Sequence, residues 1–308
     1  MHDKMLRQKS APADPFEESP HTPSVERLYH GLDPALAQTL SIDRATRDRL
    51  VIFDPASAPL LRPLIRAAAV LPWRIRAEQR WIIAVPEAQA ATIHQYTALA
   101  RHLDSLTPPR QEANSATPWW VLPDEALRPV AAPRILVRED EATVAWDDTT
   151  ALIAGPTQII ADADPFWLAW LGSATGLAAL RKGIALESLR IPEVPGPTQS
   201  NLAGLALEAT HLASQIDELE EAVLRRILAD FGPPGRQPGP RLLRWWRLDF
   251  EQLHQAVLDE LRNDIPERYR PTWEQIHHDQ RTTHAKASAR LGTIIEAIDT
   301  QVAALAEN

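Results

Sequence analysis

The 308-residue sequence contains no cysteine. This absence excludes disulfide bonds, thiolate zinc sites and cysteine nucleophiles, and it is typical of a protein of the reducing cytoplasm. No apolar run reaches the roughly 18 residues that a membrane-spanning helix needs. Residues 1–24 are polar and proline-rich and have no apolar segment, so they predict a disordered tail rather than a signal peptide. We therefore expect a cytoplasmic protein that does not contact a membrane.

The motifs of nucleotide and DNA chemistry are also missing. Neither of the glycine patterns that cradle phosphates, GxGxxG and GxxxxGK, occurs in the sequence. The common PD…(D/E)xK nuclease motif needs an acidic residue two positions before a lysine, and none of the four lysines has one. The two Pro-Pro pairs lack the flanks of the (D/N/S)PP(aromatic) methyltransferase loop. We therefore expect a chain that is not an enzyme and uses no cofactor.

The charge balance restricts where nucleic acid could bind. The net charge of −9 excludes a surface that is basic throughout. Residues 61–86 are the strongest local candidate, because they combine five arginines with two tryptophans and arginine suits phosphate and guanine. The alternative is a surface helix that leads into a buried strand. Trp81 is expected in the core, whereas Trp73 is left open between core and surface. The candidate DNA-binding residues are Arg62, Arg66, Trp73, Arg74, Arg76 and Arg80.

Three histidines near the C-terminus raise the question of a metal site. His277 and His284 lie two helical turns apart on one face, a spacing too long for two ligands of one ion. Together with His278, we interpret them as solvated side chains. We expect no metal site in this chain.

Residues 25–198 alternate short apolar runs with proline-marked breaks, a pattern that predicts a mixed α/β (α+β) domain. The proline-rich segment 191–198 predicts a linker at its end. The predicted strands are 50–53, 81–86, 134–139, 142–146 and 157–162, and the predicted helices are 59–68, 87–106 and 164–180.

Residues 199–308 predict long helices that serve as a spacer or docking region. Their apolar residues recur at alternating steps of four and three, which is the heptad pattern of a coiled coil. Two such seams in one chain are expected to pack antiparallel. The seam residues are Leu212, Ile216, Leu219 and Val223 in the first helix, and Leu291, Ile295, Ile298 and Val302 in the last.

Eight segments between residues 41 and 232 resemble, in the correct order, a family of DNA-recognition modules. They are SIDRATRDRLVIFDPASAPLLRPLIR (41–66), RIRAEQRWIIAVP (74–86), ATIHQYTALARHL (91–103), TPWWVL (117–122), PRILVRE (133–139), PFWLAWLGSAT (165–175), SLRIPEVP (188–195) and IDELEEAVLRRILADFG (216–232). The family is the TaqI-like C-terminal specificity domain, which is attached to adenine-N6 DNA methyltransferases of fused restriction–modification and related phage-defence enzymes.

The resemblance implies a target-recognition domain without its catalytic half. Double-stranded DNA and a separate adenine-N6 DNA methyltransferase are the implied partners, and pairing of two copies stays open. Residues 62–80 correspond to a segment near the DNA-facing cleft of such domains. The sequence departs from the family where a Gly-x-Asp-Ile loop is replaced by Ala67–Val70, which puts base reading in doubt.

Two functions of different classes follow. The first is a DNA specificity subunit that acts with a methyltransferase supplied in trans. The second is a protein–protein interaction or scaffold subunit of a defence complex that no longer reads DNA, which the nearly balanced charge of residues 44–195 permits. Salt-dependent DNA binding distinguishes the two.

Overall fold

The computed structural model describes residues 27–109, 117–128, 130–189, 191–192 and 194–306. The predicted tail, residues 1–24, therefore lies outside the described residues. Strands are β1 Leu28–His30, β2 Ser41–Asp43, β3 Leu61–Arg66, β4 Val70–Leu71, β5 Arg74–Ile75, β6 Arg80–Ile83, β7 Val85–Pro86, β8 Val121–Leu122, β9 Arg134–Arg138, β10 Thr143–Asp147, β11 Leu152–Ala154 and β12 Thr157–Ile160. Helices are α1 Pro34–Leu40, α2 Arg44–Phe53, α3 Thr97–Asp104, α4 Asp124–Leu127, α5 Pro165–Gly172, α6 Ala174–Arg181, α7 Gly196–Phe231, α8 Phe250–Ala256 and α9 Arg270–Ala306.

Two four-stranded sheets form the first part of the fold. One has the antiparallel order β1-β12-β9-β10, and the other has the order β11-β3-β6-β2 with a parallel β11–β3 pair. The two-stranded β4–β5 hairpin packs against β10. The mixed α/β prediction, with long helices following the sheets, is confirmed.

Helix α2 contradicts the strand predicted at 50–53. The side chain of Asp43 accepts a hydrogen bond from the backbone N–H of Thr46 at 2.8 Å and so caps the helix. The helix then continues through the apolar run to Phe53, where Ile52 and Phe53 are 75% and 70% exposed. The prediction was wrong because a short apolar run does not by itself distinguish a strand from the last turn of a capped helix.

Strand β3 contradicts the helix predicted at 59–68. Pro63 lies in the middle of the strand and pairs with Trp81 of β6. Proline lacks an N–H and clashes with the preceding turn, so it breaks a helix interior, whereas a strand accepts it where no donor is needed. The apolar pattern at 59–68 was therefore wrongly assigned to a helix.

The other predicted helices are divided. The segment 87–106 forms a 3-10 stretch over Glu87–Gln95 and then α3. The segment 164–180 forms α5 and α6, because Ser173 has an extended backbone and its Oγ accepts a hydrogen bond from the N–H of Gly176 at 3.2 Å. A Cβ at Gly176 would collide with the carbonyl oxygen of Trp170, so this tight junction requires glycine.

Helices α7 and α9 pack antiparallel along their length. Asn201 binds Gln301 at 2.9 Å, Arg290 pairs with Glu208 at 2.9 Å, and Phe231 contacts Trp273 with ring centroids 4.9 Å apart. The residue numbers rise on α7 as they fall on α9, which fixes the antiparallel direction. All eight predicted seam residues are buried or partly buried, and all of them except Ile216 belong to the hydrophobic cores of this hairpin.

One hydrophobic core joins the first sheet to the helical hairpin. It includes Leu168 of α5, Leu202 and Ala206 of α7, and Ile298 and Val302 of α9. The core therefore crosses residue 198, where the sequence predicts a domain boundary. A second core lies under the other sheet, and a third fills the far end of the hairpin around Trp245.

Candidate nucleic-acid interface

A cleft of about 610 Å³ lies between the sheets and α7. Strands β3, β5 and β6 form one wall, the loop that follows β10 forms a second, and α7 forms the third. The cleft has the volume of a small-ligand pocket and cannot enclose a DNA duplex. Its polar lining residues are Arg76, Glu78, Arg80, Asp147, Asp148, Thr149, Thr150, Thr210, His211 and Ser214.

The β4–β5 hairpin brings the predicted arginines to this cleft. Pro72 and Trp73 form its two-residue turn, because Leu71 pairs directly with Arg74. Trp73 has a φ of 65°, the left-handed value that the third position of a type II turn requires and that glycine usually supplies. The hairpin tolerates tryptophan there because the ring is buried against Gly172, where a Cβ would lie 2.6 Å from a ring carbon.

Trp73 is consequently a core residue, which corrects its place among the DNA-binding candidates. The residue is 4% exposed, and its backbone N–H donates a hydrogen bond to the carbonyl oxygen of Val144 at 3.0 Å. The ring cannot contact a base in this structure. It anchors the turn that carries Arg74 and Arg76.

Arg74 and Arg76 both bind Asp217 on α7. Their guanidinium groups donate to the same carboxylate oxygen, Oδ1, with Nη2 distances of 3.2 Å in both ion pairs. The Asp217 side chain is 9% exposed, that of Arg74 is 18% exposed and that of Arg76 is 44% exposed. Because they are two positions apart on an extended segment, the two arginines point the same way. They attach the hairpin to α7, and Arg76 keeps part of its guanidinium toward the cleft.

The remaining predicted arginines lie in three different settings. Arg66 donates two hydrogen bonds to the carboxylate of Glu78, at 2.8 and 2.6 Å, and this ion pair raises the pKa of Arg66. Arg62 faces a separate, smaller pocket. Arg80 lines the cleft and forms no salt bridge with any described residue. The structure therefore brings Arg76 and Arg80 together at the cleft and separates Arg62 from them.

Two contributors to this region were not anticipated from the sequence. Asp217 lies 143 positions from Arg74, so no local pattern connects them. The sequence gives one indication of its role: Asp217 directly follows Ile216, a residue of the predicted seam. Asp148 is exposed on the loop after β10 and brings a negative charge to the lining of the cleft.

The C-terminal histidines are not all solvated, which corrects the prediction. His277 and His284 are 3% and 8% exposed and lie at the third core. His284 Nε2 lies 2.9 Å from Glu220 Oε1, and the ring stacks on Trp246 at a centroid distance of 4.9 Å. The ring of His277 is placed near the backbone oxygen of Trp245, 3.3 Å from Nε2. Tryptophan and histidine packing thus fills the end of the hairpin.

Within the described ranges, no cluster of three or more histidine or carboxylate side chains has a metal-binding arrangement. In the same part of the chain, no helix combines the length and hydropathy needed to cross a membrane.

Comparison with known proteins adds a family match and a structural likeness. Residues 196–302, from the start of α7 to the last turns of α9, match the model of a family described as a domain of unknown function (DUF8810). A solved structure of the type IIL restriction-modification enzyme MmeI in complex with DNA is similar to this chain with a TM-score of 0.40 and 12% identity. The similarity covers 83% of this chain and 35% of the enzyme chain. No curated protein matches the chain.

Proposed function

We propose that this chain is a non-catalytic DNA target-recognition subunit that acts with a separate adenine-N6 DNA methyltransferase in a restriction–modification or phage-defence system. The sequence resemblance to specificity domains supplies the class of function. The observation that carries the proposal is the cleft between the sheets and α7, with Arg76 and Arg80 at its lining.

The cleft volume determines how DNA is placed. A duplex is too wide to enter, so DNA lies across the mouth of the cleft, where Arg76 and Arg80 meet its phosphates. Arginine forks bind phosphate oxygens in pairs, and such contacts fix the position of a protein on DNA without reading its sequence. Thr210, His211 and Ser214 of α7 also line the cleft, and their side chains add hydrogen-bonding groups.

A second candidate function is that of a protein–protein interaction or scaffold subunit of a defence complex that does not read DNA. Arg66, Arg74 and Arg76 are already paired with Glu78 and Asp217, which reduces the positive charge available to DNA. Two adjacent large apolar side chains, Ile52 and Phe53, are also exposed on α2, as is common at protein-binding surfaces. On this alternative the arginines stabilise the fold, and α2 contacts a protein.

Charge substitutions in the cleft test the DNA proposal. We expect Arg80→Gln to weaken binding to duplexes of any sequence and to lower the salt slope by about one unit, as for a lost phosphate contact. Asp148→Asn removes the opposing charge and should strengthen binding. Arg225→Gln, at an exposed position on α7 outside the cleft lining, is the matched control. Fluorescence anisotropy at two salt concentrations measures all four proteins, and thermal melting verifies their folds.

The outcomes separate the two candidates. If Arg80→Gln behaves like Arg225→Gln, or if the wild type shows no salt-dependent binding, the cleft is not a DNA interface and the scaffold becomes the better explanation. We also expect the purified chain to transfer no labelled methyl group from S-adenosylmethionine to DNA. Reproducible transfer by the chain alone would contradict the non-catalytic part of the proposal.

A further inference from the structure

A second pocket, of about 40 Å³, lies next to the cleft, beside the segment that follows β10. Thr150 and Ala151 line both the pocket and the cleft, so the two sites are neighbours. The pocket is bounded by β1, β3, the helix α4 and the start of β9. Three of its lining residues are arginines: Arg62, Arg128 and Arg134.

Arg134 is the buried member of this group, and its charge is neutralised. Its Nε donates to Asp147 Oδ2 at 2.7 Å, and its Nη2 donates to the carbonyl oxygen of Ala151 at 2.5 Å. The side chains of Arg134 and Asp147 are 3% and 1% exposed. Asp147 is also occupied at its other oxygen, which accepts a hydrogen bond from the N–H of Thr149 at 2.9 Å. Both oxygens of Asp147 are therefore already engaged, and Arg62 is not among its partners.

Arg62 has no such partner. Its two terminal nitrogens donate to the carbonyl oxygens of Leu127, at 3.0 Å, and Thr150, at 3.5 Å. No carboxylate in the described part of the chain lies within salt-bridge distance of it. These bonds leave three of its five guanidinium N–H groups available. Burial, and then the positive charge of Arg134, lower the pKa of Arg62.

The ionised groups around the pocket leave a positive surplus. The pocket is lined by Arg62, Arg128, Arg134 and Glu125, and Arg134 is paired with Asp147, so three cations stand against two anions among the described residues. Arg128 and Glu125 are both exposed on the rim. A half-buried arginine without a counter-charge is costly, because a charge removed from water needs an opposite charge or several hydrogen bonds. An anion in the pocket would supply both.

We propose that this pocket binds a phosphate group, held by Arg62 with Arg128 at the rim. The volume accommodates roughly three water molecules, which is comparable to one tetrahedral phosphate. The planar arginine fork matches the spacing of two phosphate oxygens. The phosphate belongs either to a DNA backbone or to a free phosphate or nucleotide. The inference does not rest on the proposed function of the cleft, because it needs only the charge surplus at Arg62.

Inorganic phosphate is the first probe. The melting temperature of the full chain is measured in chloride buffers of constant ionic strength as phosphate is added, and calorimetry gives the Kd. We expect phosphate to raise the melting temperature of the wild type and of Arg49→Met, which removes an exposed arginine on α2. For Arg62→Met we expect a Kd at least about tenfold weaker, from the loss of charge-assisted hydrogen bonds.

A second variant tests the site in case Arg62→Met fails to fold. Arg62→Lys keeps the charge but loses the fork, and it should bind phosphate more weakly than the wild type and more tightly than Arg62→Met. Competition with a short duplex then identifies the source: displacement of phosphate indicates a DNA phosphate, and retention indicates a free phosphate group. Absence of a phosphate effect in the wild type, or an equal effect in folded Arg62→Met, would overturn the site. Arg80→Gln retains phosphate binding if this pocket is independent of the cleft.

Discussion

At the scale of single residues, Trp73 shows how one side chain positions others. The left-handed backbone of a non-glycine residue costs about 1–2 kcal/mol. Burial of the indole in the core offsets that cost, and Gly172 leaves the space that the ring occupies. The position of Arg74 and Arg76 at α7 therefore depends on a neighbour that itself cannot contact DNA.

Substitutions at Trp73 should reverse the usual order of alanine and glycine. Trp73→Ala should cost about 3–5 kcal/mol, because it removes a buried aromatic ring. Trp73→Gly loses the same ring but accepts a φ of 65° without strain. We expect the glycine variant to be the more stable by about 1 kcal/mol in urea unfolding. An alanine variant of equal or greater stability would contradict the strained turn.

His277 gives a residue-scale prediction about pH. Burial lowers the pKa of its imidazole below the ordinary value of 6.5. Protonation therefore favours the unfolded chain, so the stability contributed by His277 is complete above pH of about 6.5 and is lost as the pH falls below it. The slope is at most about 1.4 kcal/mol per pH unit for one proton.

Urea unfolding between pH 7.5 and 5 measures this effect. His277→Gln should flatten the fall in the free energy of unfolding, whereas His278→Gln, at the exposed neighbouring position, should change it only slightly, because the charge of His278 is the smallest cause of the lowered pKa of His277. Identical pH profiles for the wild type and His277→Gln would show that His277 does not titrate in this range.

At the scale of elements, the α7–α9 hairpin depends on its apolar seam. Ile298 is fully buried between the helices, in contact with the core that also holds α5. The heptad pattern identified this face because apolar side chains three and four positions apart lie on one side of a helix. The salt bridge between Glu208 and Arg290 is exposed and contributes little by comparison.

Ile298→Asp places a charge in this core and should cost several kcal/mol, which would lower the melting temperature strongly. Thr300→Asp introduces the same group at an exposed position of α9 and should change stability by less than about 0.5 kcal/mol. Circular dichroism melting of both variants measures the difference. Wild-type melting of the Ile298 variant would mean that the seam is misassigned.

At the scale of the whole molecule, the sheets and the helical hairpin share one core. Phe166 and Leu168 of α5 pack with Leu202, Ala206 and Ala209 of α7. The segment before residue 198 therefore lacks part of its own core when the helices are removed. The sequence pattern changes at this point, but the packing does not stop there.

A truncation at residue 198 tests this shared core. We expect fragment 1–198 to aggregate or to lose its cooperative melting transition, because the apolar face of α5 becomes exposed to water. Cleavage at a protease site inserted in the exposed turn at 233–236 keeps both helices present and should leave the two pieces associated. A fragment 1–198 that melts cooperatively would establish an independent first domain.

The amino-acid sequence was enough to predict the mixed α/β class, the long amphipathic helices and four of the five strand segments proposed from it, which overlap β6, β7, β9, β10 and β12. These predictions depend on periodicity, which is a local property of the sequence. Leu136 and Val144, for example, lie in short apolar runs that favour a strand whatever the rest of the fold is. The sequence could not assign β3 or the end of α2, because Pro63 and the cap at Asp43 decided those segments against their apolar patterns.

Which arginines are free of a carboxylate partner depends on contacts between distant parts of the chain. Arg66, Arg74 and Arg76 look alike in the sequence, yet their carboxylate partners are Glu78, nearby on the chain, and Asp217, on a helix more than 140 residues away. The tertiary structure also placed Trp73 inside the core and left Arg62 beside a pocket with no carboxylate of its own among the described residues. Charge pairing and burial depend on distances across the fold, and these distances are not encoded in the spacing of residues along the chain.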